Sequence, residues 1–360
     1  ANYLYVDKTA LVWRIANTGK PYFFSRPRRF GKSLLLSTFE AYFSGRKDLF
    51  EGLAIEGMEK EWNVHPVFHL DLNAEKYDRP EGLYSILDRY LKMWEARWGK
   101  DEGETTPSGR FFEVIRRAYE QSGREVVVLI DEYDKPLLQA LGRDDALLAN
   151  YRDSLKAFYG VLKSADRYLR FVFLTGVTKF SQISVFSDLN QLNDISMDYA
   201  YSSICGITKE ELERDFQPEI KALAERNNLS PAEALAKMEA QYDGYHFHPR
   251  GAGMFNPFSV LSCFSKLEYG NYWFHTGTPT FLVELLKKIE FDIRELIDGV
   301  ELPESAFTEY RVTMNNPIPL IYQSGYLTIK EFDAEFKNYL LAFPNAVSYT
   351  HLTLPTTPYV

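Results

Sequence analysis

Tyr22-Phe23-Phe24-Ser25-Arg26-Pro27-Arg28-Arg29-Phe30-Gly31-Lys32-Ser33 is the stretch on which the fold turns. It reads as a short buried strand, a cationic loop and a helix over 33–43, which is how a phosphate-binding loop is built. Gly31, Lys32 and Ser33 fill the last three places of the pattern G-x-x-x-x-G-K-[ST], and Arg26 stands where the first glycine belongs. Arg28, Arg29, Phe30, Gly31, Lys32 and Ser33 are therefore the candidate nucleotide ligands. Backbone N–H groups at the helix start suit phosphate oxygens, Lys32 reaches toward the β- and γ-phosphates, and the Ser33 hydroxyl is a Mg²⁺ ligand. Gly-Lys-Ser by itself also occurs in loops that bind nothing.

Charge around the loop fits a polyanion. The whole chain carries a formal net charge of −9, yet residues 1–50 hold nine Lys or Arg against three Asp or Glu. Such a local surplus favours a small polyanionic ligand there over nucleic acid coating the whole surface. Downstream, Leu34, Leu35, Thr38, Phe39 and Tyr42 recur at helical spacing and predict one apolar face. Upstream, Tyr3 to Thr9 is a lead-in and residues 10–16 a short helix.

The next decisive run is Val126-Val127-Val128-Leu129-Ile130, closed by Asp131-Glu132-Tyr133-Asp134-Lys135-Pro136. An aliphatic run without alternation suits a central parallel strand covered on both faces, and α/β sheets put their ligands at the carboxyl ends of such strands. Asp131 fits a Mg²⁺ ligand and Glu132 a residue that polarises the attacking water. A solvated acidic turn is the plain alternative. A further strand over 169–174 ends in Thr175, Gly176, Val177, Thr178 and Lys179. Thr175 and Thr178 are candidate γ-phosphate sensors, with turn-forming roles open to both, and Lys179 adds charge. Another strand is expected at 66–72, helices at 81–98 and 109–121 around a polar loop at 99–108, and a long functional loop at 180–198. His65 and His69 are four apart, a spacing without metal-site meaning in an extended segment.

At Thr208 the character changes. Thr208-Lys209-Glu210-Glu211 and Ser230-Pro231-Ala232-Glu233 are capping boxes that start two helices. Asn256-Pro257-Phe258-Ser259 and Thr278-Pro279-Thr280-Phe281 start others, and 317–324 precedes a strand at 325–330. Helices followed by a small strand suggest a winged-helix-like lid. Residues 241–330 carry seven Lys or Arg against ten Asp or Glu, which disfavours DNA binding by that part. The expected domains are a P-loop ATPase domain over 1–206, a helical, winged-helix-like domain over 207–346 and a non-native tail over 347–360. The tail lacks periodicity and caps and resembles adapter read-through after a truncated frame, and a start at Ala1 without Met points to a missing N-terminal piece. Cys205 and Cys263 have neither metal nor disulfide spacing. No apolar run is long enough to span a bilayer and no signal segment opens the chain, so a cytoplasmic location without membrane association is the default.

Taken together, Tyr5-Val6-Asp7-Lys8-Thr9 and the blocks at 25–33, 128–136, 171–180, 201–206, 272–281 and 322–330 resemble the AAA-ATPase-like family of bacterial P-loop proteins. The resemblance runs through nearly the whole chain. It implies an α/β P-loop NTPase fold with a parallel sheet flanked by helices, and ATP with Mg²⁺ as ligands. It also implies that Ser-Arg-Pro-Arg-Arg-Phe-Gly-Lys-Ser is the usual form of the loop, so that Arg26 is a variant signature. Arg28 and Arg29 would add charge beside the γ-phosphate, or pair at rest with Asp131, Asp134 or another acid. Many members continue into a nuclease-like domain of the PD-(D/E)xK type, and residues 340–345 resemble the approach to it, so nucleic acid is an expected partner through that missing part. A homo-oligomer is a further expectation. The expected function is an ATPase in which Lys32 and the loop bind phosphates, Ser33 and Asp131 hold Mg²⁺, Glu132 orients water, and 175–179 senses the γ-phosphate. The alternatives are a nucleotide-dependent switch with little turnover and a winged-helix DNA-binding protein.

Overall fold

In the computed structural model, residues 4–179, 186, 192–273, 280–289, 291–308, 316–345 and 348 are described. Most of the loop expected at 180–198, the start of the helix expected at 278, and the tail apart from Ser348 fall outside them. The chain divides into two units, one comprising Asp7–Ser25 with Lys32–Ile195, the other Ala1–Val6, Arg26–Gly31 and Ser196–Val360.

The first, the sheet unit, is built on strands β1 (Tyr22–Ser25), β2 (Val67–Asp71), β3 (Val126–Asp131), β4 (Leu169–Gly176) and β5 (Asn193–Asp194). Their order across the sheet is β2-β3-β4-β1-β5, and every pairing is parallel. All six residues of β3 are buried, as its unbroken aliphatic run requires, whereas β2, at the edge, buries alternate residues. Parallel strands share one carboxyl edge. Register pairs Asp71 with Asp131, Ile130 with Leu174, Phe24 with Thr175 and Ser25 with Gly176, so the polar strand ends line up along that edge.

Seven helices are described in this unit: α1 (Thr9–Thr18), α2 (Lys32–Phe43), α3 (Ala54–Met58), α4 (Glu81–Trp98), α5 (Pro107–Ser122), α6 (Lys135–Ala140) and α7 (Asp145–Ser164). The parallel sheet flanked by helices is the α/β architecture expected. Helix α2 packs on β2 and β3, and α5 on β3. The buried stripe of α2 is Leu35, Leu36, Phe39, Tyr42 and Phe43; Leu34, placed on that face by spacing, is 58% exposed. The true stripe is centred one residue further on. Residues 180–198, expected as loop, supply the edge strand β5, where Asp194 pairs with Lys179 at 2.7 Å. Helix α7, capped by the Asp144 carboxylate on Leu147 N–H, buries Leu148, Tyr151, Leu155, Phe158 and Leu162, a helical repeat that the expectations above pass over.

Helices α4 and α5 are tied by one buried cation. Arg110 donates from Nε and Nη2 to both Glu95 oxygens at 2.7 and 2.8 Å, and from Nη1 to Asp88 at 2.7 Å. Arg110 and Glu95 are each about as buried as the core around them. Arg110→Ala leaves two carboxylates facing each other without their cation, and a loss of about 3 kcal/mol in unfolding free energy is expected by urea denaturation. A loss under about 0.5 kcal/mol would mean that the carboxylates find water instead.

In the second unit, β6 (Ile207–Thr208) leads into α8 (Lys209–Asp215), α9 (Gln217–Arg226) and α10 (Pro231–Tyr242). Both capping boxes form, Thr208 with Glu211 and Ser230 with Glu233, each closing two bonds. After β7 (Met254–Phe255), which pairs with β6, α11 (Pro257–Lys266) starts on the Asn256 side chain. Leu212, Leu223, Met238, Val260 and Cys263 are fully buried in the core these helices share. Then come α12 (Thr280–Lys288), β8 (Val300–Pro303), α13 (Ser305–Thr308), α14 (Ile318–Gln323), β9 (Thr328–Asp333) and β10 (Asn338–Ala342). The strand expected at 325–330 is β9, and it belongs to a three-stranded antiparallel sheet of order β8-β10-β9. Cys205 and Cys263 are both buried. Among the described residues no helix is long and apolar enough to cross a membrane.

Candidate functional site

At the carboxyl edge of the sheet unit, the four side chains that follow Ile130 part company. Asp131, still in the strand, accepts from Ser33 Oγ at 2.6 Å on one oxygen and from Thr175 Oγ1 at 2.6 Å on the other. Ser33 stands on the first turn of α2 and Thr175 near the end of β4. Strand order explains the meeting, because β4 lies between β3 and β1 and carries Thr175 beside Asp131. Glu132 takes a left-handed backbone (φ +53°), a conformation that costs a non-glycine residue roughly 1–2 kcal/mol. Its carboxylate lies 3.5 Å from Lys32 Nζ. Lys32 is buried and Glu132 largely so.

Tyr133 and Asp134 turn the other way, into the unit. The Tyr133 N–H donates to Thr175 O at 2.9 Å and its hydroxyl to Thr178 O at 2.8 Å. One Asp134 oxygen accepts from both the N–H and the hydroxyl of Thr178 at 2.7 Å, and the carboxylate also receives Val177 N–H at 3.2 Å. Gly176 allows this closeness, since a Cβ there would stand 2.5 Å from the Tyr133 ring and 2.7 Å from Asp134. Lys32, Ser33, Asp131, Glu132 and Thr175 are thus gathered at one edge, while Thr178 is bonded to Asp134, which turns into the unit. Asp131 and Asp134 thus both accept from hydroxyl groups, and Asp134 from backbone N–H groups as well.

Burial, with the negative Glu132 nearby, pushes the Asp134 carboxyl up to about 6 from an ordinary 3.8. A carboxyl whose value is raised by folding contributes most to stability below the unfolded value, and that contribution is lost as pH rises through about 6. The unfolding free energy of the native protein relative to Asp134→Asn is therefore expected to fall as pH rises from roughly 4 to 7, in urea titrations across that range. A rising difference would place the ionised carboxylate as the favoured form, and a flat one would mean that folding leaves the group unshifted.

His69 on β2, set aside as a metal ligand, holds Glu40 of α2 through Nδ1 at 2.7 Å. Burial pulls the imidazole down, but the bond and charge of Glu40 outweigh it and leave the net shift upward. Among the described residues no group of three or more His, Cys, Asp or Glu is placed to hold a metal. A Mg²⁺ ion asks less of the protein, one or two oxygen ligands beside substrate phosphates and water. Ser33 Oγ and Asp131 Oδ2, both oxygen donors and 2.6 Å apart, fit that demand.

The loop itself, Arg26–Gly31, belongs to the second unit. Arg26, only 2% exposed, donates to Ser196 O at 2.5 Å and to Ser202 O at 3.4 Å, and its guanidinium lies 4.0 Å from the centre of the Phe247 ring. The carbonyl of Arg28 accepts from Trp273 Nε1 at 2.9 Å. Arg29 has φ +68° and stacks on Phe258 at 4.8 Å. Phe30 is buried edge-on to Tyr245 and Phe247, and Gly31 has φ +97°. None of these partners was legible from the motif, because they lie about 170 to 245 residues away.

The family that matches residues 1–186, just over half the chain, is AAA-ATPase-like, described as "Predicted AAA-ATPase". The chain belongs to the AAA-ATPase-like family. A protein of Azotobacter chroococcum mcd 1, described as "Uncharacterized protein in vnfD 5'region", is 37% identical over 346 residues. That match takes in 96% of this chain and 64% of the relative, so this AAA-ATPase-like chain spans under two thirds of the relative's length.

Proposed function

We propose that the chain binds ATP with Mg²⁺ at the loop and the strand edge, and hydrolyses it. The observation that carries this is the convergence of Lys32 and Ser33, the last two motif residues, on Glu132 and Asp131, the two acids at the end of β3. A chance Gly-Lys-Ser has no reason to meet two strand-end carboxylates that way. In this reading Lys32 and the N–H groups of 28–33 bind the phosphate oxygens, with Arg28 and Arg29 adding charge. Ser33 and Asp131 hold Mg²⁺, which when bound supplies charge neutralisation at the phosphates. Glu132 accepts a hydrogen bond from the attacking water and orients it. Thr175, already on Asp131, is the hydroxyl set to register the γ-phosphate, and Thr178, bonded to Asp134, shapes the turn that follows it.

While Ser33 and Asp131 already stand together, Lys32 lies on Glu132, a carboxylate it would exchange for phosphate. That pairing also favours a second reading, a switch that binds ATP and turns over very slowly while relaying its state to a C-terminal effector. Single-turnover hydrolysis with Mg²⁺ separates the two. The ATPase reading expects phosphate release well above the uncatalysed rate; a background rate with normal ATP affinity would leave the switch. Coupling to an effector is part of the same proposal and rests on the family resemblance; a homo-oligomer and a cytoplasmic location stay expectations from the sequence.

A further inference from the structure

A loop that binds phosphate with several glycines sets its own conformation; this one has a buried arginine in the first position and an arginine in left-handed backbone at the fourth. Its shape is imposed from outside, and the contacts that impose it come from the second unit, of which the loop is a part. Arg26 is fixed by backbone carbonyls and the Phe247 ring. Pro27 lies against the backbone of Gly325, where an added Cβ would come within 2.8 Å of it. Trp273 fixes one peptide plane directly. In a trans peptide the C=O of one residue and the N–H of the next point in opposite directions, so the indole N–H that holds the Arg28 carbonyl also aims the Arg29 N–H away from Trp273. An anion site made of backbone N–H groups depends on that aim.

We propose that Trp273 and Phe258 are positioning residues for the phosphate-binding backbone of Arg26–Gly31, so that affinity for the polyphosphate of a nucleotide is set by aromatic side chains of the second unit. This rests on the nucleotide-binding reading above. Trp273→Phe keeps an aromatic ring and removes the one N–H that holds the peptide plane. Phe258 is half-buried, and Phe258→Leu removes the face on which Arg29 stacks with little risk to the core.

The test is the affinity of native protein, Lys32→Ala, Trp273→Phe and Phe258→Leu for ATP, ADP, AMP and adenosine in Mg²⁺, alongside the melting temperature without nucleotide. Trp273→Phe is expected to weaken ATP and ADP about tenfold and Phe258→Leu about threefold, AMP less and adenosine not at all, with a melting temperature close to native in Phe258→Leu and lowered in Trp273→Phe, whose smaller ring leaves a cavity among buried aromatics. Dependence on phosphate number is the mark of positioning, since general loosening would weaken all four ligands alike. Native affinity in both variants while Lys32→Ala has lost binding would overturn the positioning role and leave the nucleotide site standing. Equal weakening of all four ligands with a lowered melting temperature would also overturn it. Failure of the native protein to bind ATP or ADP would overturn the nucleotide reading and this proposal with it.

Discussion

Lys32→Ala is expected to weaken ATP binding on the order of 100-fold, about 2–3 kcal/mol, by titration calorimetry in Mg²⁺. Lys32 is the first residue of α2 and is 4% exposed, held 3.5 Å from Glu132 at the carboxyl edge of the sheet unit. A buried ammonium needs a compensating anion, and two are on offer: Glu132 at rest and phosphate when nucleotide is bound. Removing the ammonium takes away a charge-assisted contact to phosphate and leaves Glu132 beside the incoming polyanion, so both changes act against binding. Glu132 keeps some contact with solvent, which limits the effect on the fold. Native affinity in Lys32→Ala would remove the motif lysine from the site.

Glu132→Gln is expected to lower single-turnover hydrolysis by roughly 10²- to 10⁴-fold, the span of general-base assistance. The amide cannot accept the water's proton, while the left-handed backbone at this position asks no more of Gln than of Glu. Binding should move in the opposite direction. ATP in the native protein competes with Glu132 for Lys32, and the neutral amide gives up that competition, so affinity is expected to stay level or tighten. Loss of hydrolysis with retained binding separates a water-orienting residue from a structural one. Unchanged hydrolysis would shift that role to another group.

What was legible in the sequence is what short-range chemistry dictates. The aliphatic run of β3 could only be a doubly covered strand, and the capping boxes at Thr208 and Ser230 close bonds within four residues of chain. The Ser33, Asp131 and Thr175 cluster was legible in kind, because all three stand at ends of elements that the pattern placed on one sheet. Its wiring was not: that Thr178 answers to Asp134 follows from a tight turn around Gly176, a matter of packing. Arg26 looked like a gap in the motif because its partners at 196, 202 and 247 come from a distant part of the chain. Helix α7 is different, since its apolar repeat stands plainly in the sequence. The edge strand β5, two residues long, gives no period to read.

Backbone hydrogen exchange of the native protein, with and without Mg²⁺ and a slowly hydrolysed ATP analogue, tests whether nucleotide occupies the loop and the acids at the end of β3. The expected result is slowed exchange in the peptides covering residues 28–36 and 126–134 when nucleotide is present. Saturating nucleotide that leaves both segments exchanging as before, or that protects others instead, would contradict it.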